Sequence, residues 1–225
     1  MSSTALPKGV LFDLDGTLID TAPDLAEATN RLREHYGLKR LPYDVIRAQV
    51  SNGGNALVTL ALEWSTDHPQ HAEARDFLLE RYAEAVAEKS EVFPGLERLL
   101  DQWESAGHVW GIVTNKPRRY AEPLIAALRL KPGVMFCADD LPVKKPDPAP
   151  LLAAARHLGI DPDDCWYVGD HRRDMEAANH AGMTAIAVRY GYIAQDDDID
   201  AWPAARWFDT PASLADTLST LLEAR

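Results

Sequence analysis

The chain alternates short, uninterrupted apolar runs with segments of helical periodicity, and this alternation restricts the folds open to it more than any other feature. The runs are GVLF (9–12), HVWGIVT (108–114), VMFCA (134–138), CWYVG (165–169), TAIAVRY (184–190) and the weaker ARWF (205–208). A strand with one wet face alternates apolar and polar residues. A run without polar members is instead buried on both faces, as in a parallel sheet covered by helices. The intervening segments supply those helices. PGLERLLDQWESAG puts Leu96, Leu99, Leu100 and Trp103 on one face, starts near Pro94 and stops at Gly107, while DPAPLLAAARHLG and RDMEAANHAG close on Gly159 and Gly182 in the C′ position. The pattern predicts an α/β fold with a doubly wound, Rossmann-like parallel sheet over residues 1–17 and 92–225.

Residues 18–91 show no convincing strand. APDLAEATNRLREHYG carries Leu25, Thr29, Leu32 and Tyr36 at helical spacing up to Gly37, and AEARDFLLERYAEAVAEK carries Phe77, Leu78, Arg81, Tyr82, Ala85 and Val86. We read this stretch as an inserted all-helical cap domain over whatever the sheet displays. Its glycine-rich turn, VSNGGNAL (50–57), offers Ser51, Asn52, Gly53 and Gly54 to a substrate's hydroxyls or carboxylate, or is a plain interhelical turn. Cys137 and Cys165 lie far apart in apolar runs and read as core residues, without a disulfide or zinc site. Asp196, Asp197 and Asp198 read as a solvated loop.

The first strand contains acid where a buried strand has no use for it. In VLFDLDGTLID, Asp13 and Asp15 are two apart, so on a regular strand they face the same side, and Gly16 lets the backbone turn away. Two carboxylates at a strand's carboxyl end converge on the crevice where open α/β sheets bind ligands. Asp20 lies past the turn and is expected to cap the helix beginning near Pro23 or to line a hinge. The net charge of −12 argues against a nucleic-acid or anionic-membrane surface, and a small anionic substrate then needs a local positive site such as a metal ion. The N-terminal MSSTALPKGVLF lacks the pattern of a signal peptide, and no apolar run approaches the roughly 20 residues of a membrane span, which gives the expectation of a soluble, cytoplasmic protein.

DLDGT resembles the first motif of the haloacid dehalogenase-like superfamily of phosphotransferases. Three further motifs follow in the order that family has, so the resemblance spans nearly the whole chain: Thr114 in GIVTNKP, Lys145 in KKPDP, and Asp170 with Asp174 in VGDHRRD. It implies a Mg²⁺-dependent phosphomonoesterase working through an aspartyl-phosphate. An ionised carboxylate can approach a phosphate dianion only after cations cancel their repulsion. Asp13 is the expected nucleophile and Asp15 the general acid, then base. The expected Mg²⁺ ligands are the Asp13 carboxylate, the Asp15 backbone carbonyl and Asp170. Asp174 is expected to support the metal site or to serve as a helix N-terminal acid. Thr114 offers its hydroxyl and Asn115 its N–H to the transferring phosphoryl group, and Lys145, rather than Lys144, supplies the remaining positive charge. His171, Arg172 and Arg173 are expected on the solvated surface.

Within the superfamily, dehalogenases lack the second aspartate, and a phosphonatase needs a Schiff-base lysine in the cap, where this chain has only Lys39 and Lys89 in no apolar context. A β-phosphoglucomutase-like mutase shares every motif and stays open as an alternative. A non-catalytic phosphate-binding module would be signalled by loss of Asp13 or Lys145, and both are present. LFDLDGTLIDTAPD, GIVTNKP, YAEPLI, KKPDPAPLL and YGYI are similar to phosphoglycolate phosphatases and N-acetylmuramic acid 6-phosphate phosphatases of peptidoglycan recycling; WGIVTNKPRRYAEP and YGYIAQDDDIDAW lean towards the second group. The expected partner is a small phosphorylated metabolite. Arg118 and Arg119 face its carboxylate or lie on the surface.

Overall fold

Each of the six apolar runs forms a strand in the computed structural model, which describes residues 6–224. In chain order the strands are β1 (Gly9–Phe12), β2 (Ile19–Asp20), β3 (Glu91–Val92), β4 (Val109–Val113), β5 (Val134–Phe136), β6 (Cys165–Gly169), β7 (Thr184–Val188) and β8 (Arg206–Phe208). All but β2 and β3 form one sheet in the order β5-β4-β1-β6-β7-β8, and every pairing in it is parallel. Strand β1 lies between β4 and β6, where the chain order reverses, so its carboxyl end opens onto the crevice that such sheets use for ligands.

The helices are α1 (Ala22–His35), α2 (Tyr43–Arg47), α3 (Gly53–Leu62), α4 (His71–Glu84), α5 (Leu96–Ser105), α6 (Arg118–Ala127), α7 (Ala149–Leu158), α8 (Arg172–His180) and α9 (Pro211–Glu223). Alternation along β1 divides the core. Val10 and Phe12 pack in a cluster with the apolar stripes of α5, α6 and α9, and Leu11 with those of α7 and α8. The predicted stripe of α5, from Leu96 to Trp103, is buried as a set, each large side chain contributing on the order of 1.5–3 kcal/mol of transfer free energy. Both cysteines are buried and unpaired, and burial pushes the Cys137 and Cys165 thiols up to about 12 and about 11.

Helices α1–α4 share their own apolar cluster, centred on Leu25, Leu32, Ile46, Leu57, Leu78 and Tyr82, and joined by Tyr120 of α6 and Tyr192 of the loop after β7. Arg47 of α2 ties this unit to that loop by donating to the carbonyls of Tyr190 (2.7 Å) and Gly191 (3.0 Å). Two details depart from the sequence reading. The antiparallel pair β2 and β3, with Ile19 opposite Val92, forms a short ribbon where no strand is expected before residue 92. Helix α4 stops at Glu84, short of the periodicity running to Val86, because the chain must turn back into this ribbon. The Lys89 and Ser90 N–H groups and the Ser90 hydroxyl all donate to the Asp24 carboxylate there.

Asp20 does not cap α1. The N-cap position is Thr21, and the first free N–H groups, those of Thr21 and Ala22, donate to the Tyr192 phenol oxygen at 2.6 and 2.9 Å. That phenol in turn donates to Asp20 (2.7 Å), so Asp20 belongs to the connection between ribbon and helix. In the acidic loop, Asp196 and Asp198 are exposed and Asp197 accepts from the Trp202 indole at 3.0 Å. Among the described residues, no helix is long and apolar enough to cross a membrane.

Candidate active site

The site is built at the end of β1. The Asp13 N–H donates to the Val168 carbonyl (2.8 Å), extending the ladder with β6 one residue past the strand, and the Leu14 N–H donates to the Asp13 carboxylate (2.7 Å). The chain then leaves in a turn whose Leu18 and Ile19 amides converge on the Leu14 carbonyl. Gly16 permits that turn: its φ is +80°, and a Cβ there would lie 2.3 Å from an Asp170 carboxylate oxygen.

Around Asp13 the motif residues come together. The Lys145 ammonium, buried in the loop before α7, lies 2.8 Å from both Asp13 Oδ1 and Asp174 Oδ1 and donates to the Tyr167 hydroxyl at 2.7 Å. Burial opposes its charge, but Asp13 and Asp174 outweigh burial and hold its pKa above the usual lysine value. Asn115 positions this lysine, its side chain exchanging hydrogen bonds with the Lys145 backbone N–H (3.1 Å) and carbonyl (2.9 Å). Lys144, by contrast, is exposed at the rim of the cleft. Thr114 is buried at the end of β4, and its hydroxyl oxygen accepts from the Lys116 N–H at 3.2 Å.

Asp13, Asp170 and Asp174 are all buried, with carboxylate oxygens within 4.8 Å of one another. Burial, then Asp13 and Asp174, raises the Asp170 carboxyl to about 7. Three buried acids facing a single buried lysine leave negative charge uncompensated, and their hard oxygens suit Mg²⁺. Asp170 is oriented by the Ser51 hydroxyl (3.0 Å), the Tyr192 N–H (2.8 Å) and the Thr17 hydroxyl (3.3 Å). Asp174 lies in the first turn of α8. One oxygen faces Lys145 and the other accepts from the His171 N–H (3.0 Å) at the start of α8.

The Asp15 side chain is not part of this cluster. It accepts from the Lys116 ammonium (2.8 Å) and the Thr21 hydroxyl (2.6 Å), which leaves the backbone carbonyl as the Asp15 donor a metal can use. The turn's amides bond to Leu14 and Ile19 instead of to that carbonyl.

Around this cluster the glycine-rich turn, His171 and the neighbouring arginines take different places. Ser51, Asn52, Gly53 and Gly54 do line the cleft, but the Ser51 hydroxyl is committed to Asp170 and the Asn52 amide to Gln49 (3.0 Å). Residues Val50–Asn52 form a 3₁₀ turn leading directly into α3. Arg172 is on the surface, whereas Arg173 donates to the Ser51 carbonyl and lines the cleft, bridging α8 to the helical unit. His171 is half-buried and accepts from the Arg173 N–H (3.2 Å); burial, then the Arg173 charge, lowers its pKa to about 4. Arg118 turns away from the cleft and grips Asp140 through two donors, at 2.8 and 2.5 Å. Arg119 lines the cleft.

Lys116 is the main residue that sequence reading overlooked. Its side chain is 7% exposed, its ammonium sits 4.5 Å from the Tyr82 ring centroid, and its pKa is held above the usual value because Asp15 overcomes burial. The signal was present, since Lys116 in TNKP is two residues past Thr114. Tyr167, Tyr192, Tyr82 and Arg75 were also missed. Arg75, Tyr82 and Lys116, with Asp13, Asp15 and Thr114 of the motifs, line a cleft of about 480 Å³ between the helical unit and the carboxyl ends of β1 and β4.

The chain is similar to several known proteins. The family model for haloacid dehalogenase-like hydrolases matches residues 10–188. The chain is 42% identical over 217 residues to an N-acetylmuramic acid 6-phosphate phosphatase of Pseudomonas aeruginosa, covering 96% of each chain. It is 38% identical over 210 residues to a phosphoglycolate phosphatase of Xanthomonas campestris pv. campestris, covering 92% of this chain and 95% of the relative. The crystal structure of a predicted phosphoglycolate phosphatase from Haemophilus somnus superposes with a TM-score of 0.81 at 26% identity, covering 96% of this chain and 98% of the other.

Proposed function

The chain belongs to the haloacid dehalogenase-like hydrolase family, and from that premise we propose that it hydrolyses a small phosphomonoester through an aspartyl-phosphate on Asp13. The observation that carries this reading is the Lys145 ammonium held 2.8 Å from Asp13 inside the cluster of Asp13, Asp170 and Asp174. A lysine pinned there sets positive charge against Asp13 and reduces its repulsion towards an incoming dianion. Asp13 and Asp170, with the Asp15 carbonyl, would hold Mg²⁺, and Asp174 would orient the site through Lys145. The ion, when bound, supplies the rest of the positive charge that the three acids and the phosphate require.

Asp13 attacks phosphorus and the bond to the leaving oxygen breaks. Asp15 gives that oxygen a proton, then takes one from the water that hydrolyses the aspartyl-phosphate, releasing inorganic phosphate and freeing Asp13. Lys116 and Thr21 hold the Asp15 carboxylate for this exchange. The Thr114 hydroxyl and Asn115 N–H bind the equatorial oxygens as charge develops on them. Helices α1–α4 act as a cap that excludes water from the cleft.

The names of the relatives point to 2-phosphoglycolate and N-acetylmuramic acid 6-phosphate as substrates. Both relatives are phosphatases, so a phosphomutase is the less supported reading. The net charge of −12 supports a small metabolite over nucleic acid. The test compares kcat/KM of the Mg²⁺-loaded enzyme for these two compounds and for 4-nitrophenyl phosphate. A clear preference for one of them is expected. Equal values for all three would contradict the substrate assignment, and conversion of β-glucose 1-phosphate to glucose 6-phosphate would contradict the hydrolase assignment.

A further inference from the structure

The cap side of the cleft differs in chemistry from its floor. Helix α4 presents Arg75, Leu79 and Tyr82 to the cleft at i, i+4 and i+7, a single stripe, and α6 adds Arg119 and Tyr120 beside it. Arg75 packs next to the glycine turn: a Cβ on Gly54 would lie 3.5 Å from Arg75 Cγ.

The polar groups of this wall lack the partners that those of the floor possess. The Tyr82 hydroxyl is buried, in a side chain only 1% exposed, and among the described residues has no hydrogen-bond partner. Buried hydroxyls are normally bonded, and the Lys116 ammonium lies 4.5 Å from the centroid of the same ring. Arg119 lies over the Tyr120 ring at 4.6 Å and, among the described residues, has no carboxylate within 4.0 Å. Among the described residues the one ion pair of Arg75 is with its sequence neighbour Asp76 at 3.0 Å, and because both side chains are exposed that pairing is weak.

Charge points the same way. The cleft of a chain with net charge −12 is lined by five cations, Arg75, Lys116, Arg119, Lys144 and Arg173, against two acids, Asp13 and Asp15. On the floor, Lys116 is paired with Asp15, and the buried Lys145 with Asp13 and Asp174. The unmatched positive charge of the wall therefore exceeds what the floor's own acids balance, and its planar guanidinium forks fit a carboxylate.

We propose that Arg75 and Arg119, together with the Tyr82 hydroxyl, form a carboxylate-recognition site, and that the protein selects phosphomonoesters bearing a carboxylate as a second anion. The proposal rests on the phosphomonoesterase reading and narrows it. 2-Phosphoglycolate and N-acetylmuramic acid 6-phosphate differ in size and scaffold, but each joins a phosphomonoester to a carboxylate, the second through its lactyl ether.

The experiment measures kcat/KM for two matched pairs: 2-phosphoglycolate against 2-hydroxyethyl phosphate, and N-acetylmuramic acid 6-phosphate against N-acetylglucosamine 6-phosphate, which lacks the lactyl carboxylate. It uses the Mg²⁺-loaded wild type and the variants Arg75→Gln, Arg119→Gln and Tyr82→Phe. Taking the ratio within each protein cancels any general change in phosphatase activity. The wild type is expected to favour the carboxylate member of at least one pair by about 100-fold, and each arginine variant to lose about tenfold or more of that ratio, the scale of a charge-assisted hydrogen bond. Tyr82→Phe is expected to lose a smaller factor. Because the carboxylate is remote from phosphorus, the loss should appear in KM more than in kcat. A wild type indifferent to the carboxylate in both pairs, or arginine variants that keep the wild-type ratio, would overturn the proposal while leaving the phosphatase reading intact. Absence of turnover of every phosphomonoester, 4-nitrophenyl phosphate included, would overturn both.

Discussion

The floor and the cap wall of the cleft are both lined with charge, yet they are organised in opposite ways. On the floor, Asp13, Asp170, Asp174 and Lys145 are buried and each has its partners within 3.3 Å, so the geometry is fixed before substrate arrives. On the wall, among the described residues, Arg119 has no acid partner and the Tyr82 hydroxyl no hydrogen-bond partner. Groups satisfied in advance suit the steps common to every substrate, because preorganised charge requires no rearrangement as the reaction proceeds. Groups left unsatisfied suit discrimination, because only a ligand carrying the complementary group completes them.

The strongest break in this comparison is on the floor. Asp13→Asn keeps the shape of the side chain but removes the nucleophile, and kcat should fall on the order of 10⁴-fold or more, with the circular dichroism spectrum unchanged. Next is Lys145→Met, which leaves Asp13 and Asp174 buried without their cation. Removing one partner of a buried ion pair destabilises by roughly 3–5 kcal/mol, so urea unfolding should show a loss of that order together with lost activity.

The metal site sharpens the comparison from the other side. Adding Mg²⁺ at about 100 times its dissociation constant should stabilise the wild type by about 2.7 kcal/mol and raise its Tm, while EDTA abolishes turnover. Asp170→Asn should lose that Mg²⁺-dependent gain and, in EDTA, should melt no lower than the wild type, because it removes one of three mutually repelling buried acids. A wild-type melting curve that Mg²⁺ does not move would break the reading of the acid cluster as a metal site. The smallest effect belongs to an arginine outside the cleft. Arg118→Ala breaks a pair with Asp140 in which Arg118 is 37% exposed, and should change stability by about 1 kcal/mol or less, without altering selectivity between carboxylate-bearing and carboxylate-free substrates.

What the sequence made legible follows the same division. Strands buried on both faces leave uninterrupted apolar runs, so all six sheet strands could be read, whereas β2 and β3, with two residues each, are too short to carry a period. Asp13, Thr114 and Asp170 directly follow the apolar runs of β1, β4 and β6 and could be placed at strand ends, whereas Lys145 in the loop before α7 and Asp174 in α8 were marked only by the family resemblance. The Lys116 pair with Asp15 was missed because it depends on a side chain crossing from β4's loop to β1's, 101 residues apart. The wall was almost wholly illegible. Arg75 and Tyr82 look like ordinary members of an amphipathic helix, and the packing of α4 against α1 and α3, with the Tyr82 ring beside Tyr120 of α6, brings them to the cleft. Arg173 read as surface for the same reason, since its partner is the Ser51 carbonyl in the cap.

The central claim, that Asp13 carries the phosphoryl group, is tested most directly by trapping. Enzyme turning over 2-phosphoglycolate, N-acetylmuramic acid 6-phosphate or 4-nitrophenyl phosphate with Mg²⁺ is quenched in acid, reduced with borohydride, which converts an aspartyl-phosphate to homoserine, and mapped by mass spectrometry. Homoserine at position 13, appearing only with substrate and Mg²⁺ and absent from Asp13→Asn, is the predicted result. Sustained turnover with position 13 unmodified, or with the mark on another acid, would contradict it.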